Sequence, residues 1–99
     1  MNFVTKQPHE ILPLSLDFAA ALPTGQSIDA ASTVTAIDMA TGLDATASTL
    51  TGMQISGTTI TTTLIANSVS GRLKVTFLVI TTPNSFKIEE EVIVRVQDR

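Results

Sequence analysis

The sequence predicts an all-β chain, an antiparallel β-sandwich of about seven strands. Three observations lead there. Residues 71–99 hold two long alternating runs, RLKVTFLVIT and FKIEEEVIVRV, joined by Thr-Pro-Asn-Ser as in a hairpin. Further strand-like segments recur upstream between turn residues, and no segment carries an apolar stripe at helical spacing.

Residues 1–9 read as an extended N-terminal arm ahead of a sandwich domain spanning 10–99. Pro8 removes a backbone donor and restrains Gln7 to extended geometry. Such an arm is expected to order on meeting a partner. EILPLSLDF then places Leu12, Leu14, Leu16 and Phe18 on one face with Pro13 opposite. Proline within a strand is tolerated mainly at a sheet edge, so this is read as the first, edge strand. Pro23, Thr24 and Gly25 turn the following loop.

Ser27 to Asp38 reads as one strand with Ile28, Ala30, Ser32, Val34 and Ala36 inward, small residues that let a facing sheet approach. In MATGLDATASTL the alanines permit a helical turn, but Gly42 and the threonines favour a loop with brief extended pieces. Leu50, Met53 and Ile55 belong to the next strand. Gly57 and Thr58 turn the chain into TTITTTLI, where Ile60, Thr62 and Leu64 share a face, and ANSVSG is the next turn region.

In the closing hairpin Leu73, Val75, Phe77 and Val79 form one apolar face. Phe86, Ile88, Val92, Val94 and Val96 form the other, interrupted by Glu90. A buried unpaired carboxylate is costly, so Glu90 must sit at the sheet rim or mark a bulge. The tally of strands in 99 residues fits an Ig-like architecture without the Cys and Trp of antibody domains, and a small closed barrel is the alternative. Phe18, Phe77 and Phe86 are expected in the core.

Composition narrows the function. The length suits one domain and leaves no room for a separate substrate-binding module. The net charge is −3 and the basic residues Lys6, Arg72, Lys74, Lys87, Arg95 and Arg99 are scattered, which argues against nucleic acid. No apolar run approaches the roughly 20 residues of a membrane helix, and MNFVTKQPHE does not read as a secretory signal, so synthesis in the cytosol is expected. Without cysteine there is no disulfide and no thiolate metal site. Without Trp or Tyr, platforms for stacking bases or sugars are nearly missing.

No catalytic, cofactor-binding or metal-binding residue is predicted. His9 is the only histidine, stands on the arm, and has no second ligand or serine constellation beside it. Glu89, Glu90 and Glu91 read as a solvated strand edge, since a glycosidase pair needs a cleft and aromatic platforms. Asp29, Asp38 and Asp44 lack the dense acidic pattern of a calcium loop, and Gly52 and Gly57 are isolated turn residues. One feature exceeds this. The hairpin face opposite the core carries Leu78, Ile80 and Ile93 among Lys74, Thr76, Arg95 and Gln97, unusually apolar for an outer surface. Single exposed aliphatics are ordinary. With Gln7 and Pro8 of the arm, these three residues form the candidate protein interface.

TKQPHEILPLSLDFAAAL, QSIDAAS, MQISGTTITTTL, RLKVTFLVITT and EEVIVRVQDR, in this order, resemble the small Ig-like virion proteins of tailed bacteriophages described as fibre-tail adaptor proteins. KQP near the start, the SGTT turn and the VRVQDR end carry most of the likeness. The family tends to have an aromatic where Leu73 stands, a Gly-rich pair in place of Ala66 and Asn67, and Gly in the turn occupied here by TTPNSF. The resemblance implies a structural virion protein with no enzymatic activity or cofactor, joining a tail fibre or appendage to the tail or the head-tail region. Its expected partners are other virion proteins, in several copies within a symmetric assembly, with neither nucleic acid nor membrane bound. Alternatives are a capsid decoration protein and a glycan-binding or surface-binding adhesion module.

Overall fold

The structure, a computed structural model, describes residues 2–7, 10–65 and 71–96. These residues form β1 (Asn2–Lys6), β2 (Leu12–Asp17), β3 (Ser27–Ile28), β4 (Thr33–Asp38), a single helical turn α1 (Thr46–Thr49), β5 (Leu50–Ser56), β6 (Thr59–Leu64), β7 (Gly71–Thr82) and β8 (Lys87–Val96). The larger sheet runs β1-β8-β7, with β3 and β4 both pairing the far side of β7, and the smaller sheet runs β2-β6-β5. With β3 and β4 counted as one interrupted strand and the strands lettered A to G, the sheets read B-E-D and A-G-F-C, the Ig-like order with strand A on the G edge. The first strand lies parallel to the last one.

Alternation builds the core. Leu73, Val75, Phe77 and Val79 on β7 and Val92, Val94 and Val96 on β8 are buried, as are Leu14, Ile60, Leu64 and Leu50 from the smaller sheet. Burial of these faces, at about 25 cal/mol per Å² of apolar surface, is the main force closing the sandwich. The proline reading holds: among the described residues β2 pairs only β6, and Pro13 is exposed on that edge. Glu90 is a rim residue, because the β7–β8 ladder runs without a register shift and Glu90, opposite buried Phe77, is exposed.

The strands number eight among the described residues, in keeping with the expected count of about seven, and residues 2–6 supply one of them, Asn2 to Lys6 lying along Val92 to Val96 of β8. Three expectations are corrected. Ser27 to Asp38 is not continuous: Asp29 folds a turn, its carboxylate accepting the Ala31 N–H and its carbonyl the Ser32 N–H. The loop after β4 contains α1, with the Thr49 hydroxyl donating to the Ala45 carbonyl at 2.6 Å. Phe86 lies outside the core, 47% exposed, because it belongs to the connection that follows the cis Thr82–Pro83 bond.

Local devices explain the register. Leu50 and Met53, an odd number of residues apart, would face opposite sides of a regular strand. A register shift between Thr51 and Met53, with Gly52 at φ +68°, puts Leu50, Met53 and Ile55 on one face. The buried Thr62 hydroxyl donates to the Gly52 carbonyl at 2.6 Å. Gly57 and Thr58 form the two-residue β5–β6 loop, with positive φ at Gly57 as a type II′ turn requires.

Candidate protein interface

Leu78 and Ile80 stand on the outer face of β7 and are half-buried. Leu78 lies between Thr33 of β4 and Glu89 of β8. Ile80 is opposite Lys87 and faces the Asp29 turn, where the ladder is interrupted. Ser32 repairs that interruption. Its hydroxyl accepts the Ile80 N–H at 2.9 Å and reaches the Ile80 carbonyl at 3.3 Å, and the Asp29 N–H donates to the same carbonyl at 2.8 Å. The backbone beneath Ile80 is thereby held without a continuous neighbouring strand.

Ile93 is placed differently from its neighbours on that face. Only 4% exposed, it lies between β7 and β1 opposite Lys74, whose ammonium reaches on to the Glu91 carboxylate at 3.4 Å. It contributes no free surface. Alternation alone could not show this, because it does not reveal that β8 has strands on both sides at Ile93.

Gln7 is half-buried just past the end of β1, and Pro8 lies outside the described residues. The Gln7 N–H donates to the Glu10 carboxylate at 2.7 Å, and the Gln7 carbonyl accepts from the Lys6 ammonium and the Glu10 N–H. Lys6 is buried, and burial lowers its pKa below the usual lysine value, with nearby Glu10 partly offsetting this. Gln7 follows Lys6, which registers with Val96 and so with Gly71. Leu78 is seven residues further along β7, about 24 Å away at strand spacing. Gln7 therefore stands apart from Leu78 and Ile80.

Sequence reasoning missed a second group. Ile11, Met39 and Leu43 are among the most exposed large apolar side chains, at 64%, 47% and 68%. Ile11 precedes β2, while Met39 and Leu43 lie on the turn leaving β4, where the Met39 N–H donates to the Arg72 carbonyl. Topology puts all three at the Gln7 end. Phe86, beside Thr81, marks the opposite end with Ile80. Adjacent apolar positions without period-two alternation, as in Glu10-Ile11-Leu12, were the available signal.

The acidic residues serve turns. Asp17 accepts from the Thr58 hydroxyl at 2.7 Å and the Ala19 N–H at 2.9 Å, and these bonds, in that order, hold its carboxyl below the usual value. Thr46 does the same for Asp44 through its hydroxyl and then its N–H. Among the described residues no group of three or more His, Cys, Asp or Glu side chains is placed to hold a metal ion. His9 lies outside them.

An elongated chain of 44 × 23 × 21 Å built from two packed sheets, with exposed apolar side chains at both ends, belongs to the class of all-β sandwich proteins. The chain is a member of the podophage GP4 fiber-tail adaptor protein gp77 family, whose match spans residues 6–95. It is thus a structural adaptor of a bacteriophage virion, from a family that serves between fibre and tail. No individual curated protein matches it.

Proposed function

We propose that the chain acts without catalysis, as a rigid spacer joining a tail fibre or appendage to the tail or head-tail region, in several copies around a symmetric particle. The observation that carries this reading is the family match over nearly the whole chain, on a fold with apolar contact residues at two opposed ends. β7 alone, at about 3.4 Å per residue, runs roughly 40 Å, so one strand sets the separation of the two ends. Leu78 and Ile80, with Phe86 beyond them, form one contact. Gln7, with Ile11, Met39 and Leu43, forms the other. Copies made in the host cytoplasm are incorporated into the virion, where repeated weak contacts add by avidity.

Electron cryomicroscopy of intact particles tests this. Density for the sandwich between fibre and tail, with its ends against different proteins, is the expected result. Density on the capsid surface would make it a decoration protein and overturn the reading. Specific binding of the isolated chain to a glycan array would shift it to adhesion.

A further inference from the structure

We propose that the open edge of β8 from Lys87 to Glu90 receives an extended, basic strand from a partner protein. β1 accompanies β8 only from Val92 to Val96, whereas β7 occupies the other side of β8 from Lys87 onward. Ahead of Val92, one lane of the larger sheet is therefore empty among the described residues.

The direction of the backbone groups follows from β7. The Ile80 carbonyl accepts from Asp29 and the Ile80 N–H donates to Ser32, so the main chain of Ile80 faces away from β8. Alternation in an antiparallel ladder then turns Lys87, the partner of Ile80, outward too, and Glu89 after it. The Thr81 N–H bond to the Phe86 carbonyl fits this phase, since the adjacent pair is hydrogen-bonded across the strands. Lys87 and Glu89 thus present both N–H and C=O to the empty lane, over a stretch of about 14 Å from Lys87 to Glu90.

The side chains select the occupant. Glu89 and Glu90 are exposed on opposite faces, while Glu91 is engaged by Lys74. Half-buried Ile88 and exposed Phe86 share the core-side phase with Glu90. Lys87 is exposed on the same face as Glu89, so the edge is mixed in charge with an excess of carboxylate, and charged edges discourage pairing between copies. A strand alternating Lys or Arg with aliphatic residues instead gains ladder bonds, cross-strand ion pairs and an apolar neighbour in Ile88.

This inference goes beyond the adaptor reading, and it is tested on the isolated full chain, so its failure leaves that reading standing. The probe is a synthetic, end-capped peptide of alternating lysine and valine, titrated by fluorescence anisotropy, with amide hydrogen exchange followed by NMR. The expected result is saturable binding, slowed exchange at Lys87 and Glu89, and loss of binding when alternate peptide nitrogens are methylated. The double variant Glu89→Lys/Glu90→Lys, at exposed positions and checked for folding by circular dichroism, should bind roughly tenfold or more weakly. No binding, or equal binding of the methylated peptide without protection at Lys87 and Glu89, would overturn the proposal. So would protection of those amides in the free chain that rises with its concentration, because the occupant would then be a second copy.

Discussion

The ring of Phe18, just past β2, meets the ring of Phe77 on β7 with centroids 6.2 Å apart and planes tilted by 50°. One ring follows the edge strand of the smaller sheet and the other stands on the larger sheet, and both are buried. In Ig lettering the contact links strand B to strand F, where antibody domains place a disulfide. Phe77→Ala is expected to cost about 3–5 kcal/mol, and Phe18→Ala nearly as much. In urea unfolding the double variant should fall short of the sum, because the pair shares one contact worth about 0.5–1.5 kcal/mol. Strict additivity would show that the rings do not act together.

Ser32 is the hinge pin of the interrupted strand. Ser32→Ala leaves the Ile80 N–H without its partner and should destabilise by about 1–3 kcal/mol. Hydrogen exchange gives the sharper test: the Ile80 amide should exchange faster while amides in the β2–β6 ladder change little. Unchanged protection at Ile80 would mean that another group takes over.

At Gly52 an added Cβ would meet nothing within 4 Å, but φ is +68°. Gly52→Ala should therefore cost only the left-handed backbone penalty, about 1–2 kcal/mol. Thr51→Ala on the exposed neighbour should stay within about 0.5 kcal/mol. Chemical denaturation of both variants distinguishes a conformational cost from a packing one.

Acid should loosen the β5–β6 turn. The Thr58 hydroxyl and the Ala19 N–H hold the folded Asp17 pKa below its unfolded value of about 3.9. The stabilisation is therefore present above about pH 4 and is lost as pH falls through the folded pKa. Melting temperatures followed downward from neutral pH should decline less steeply in Thr58→Val than in the parent chain. An identical decline in both would remove Asp17 from the account.

The two contact ends should be separable. Leu43→Asp and Phe86→Asp alter exposed side chains, so each should keep stability within about 0.5 kcal/mol. Each should still block incorporation into particles, and pull-down with isolated tail or fibre proteins should show a different partner lost in each case. Normal incorporation of both variants would exclude these ends as contacts.

Residues whose neighbours are near in sequence or set by strict alternation were legible. Leu73 to Val79, Ile60 to Leu64, the edge position of Pro13 and the Gly57 turn all follow from period two and turn chemistry. Residues governed by distant pairing were not. The start of the chain looked unstructured because β1 has no hairpin partner, and its place beside β8 is a parallel contact between the two ends of the sequence. Phe86 had the phase of a core residue but falls in the connection ahead of β8, where it is exposed.

The candidate surface divides in the same way. Leu78 and Ile80 remained on the outer face as alternation required, whereas Ile93 was covered by its place between β7 and β1, and Ile11, Met39 and Leu43 came together at one end through loop positions that no periodicity marks. The amino-acid order alone determined a two-sheet chain with one long hairpin, because side-chain alternation is a local property of extended backbone. Which edges stay open, which apolar groups remain wet, and how far apart they stand were decided only when the sheets closed, since each depends on what a distant strand leaves uncovered.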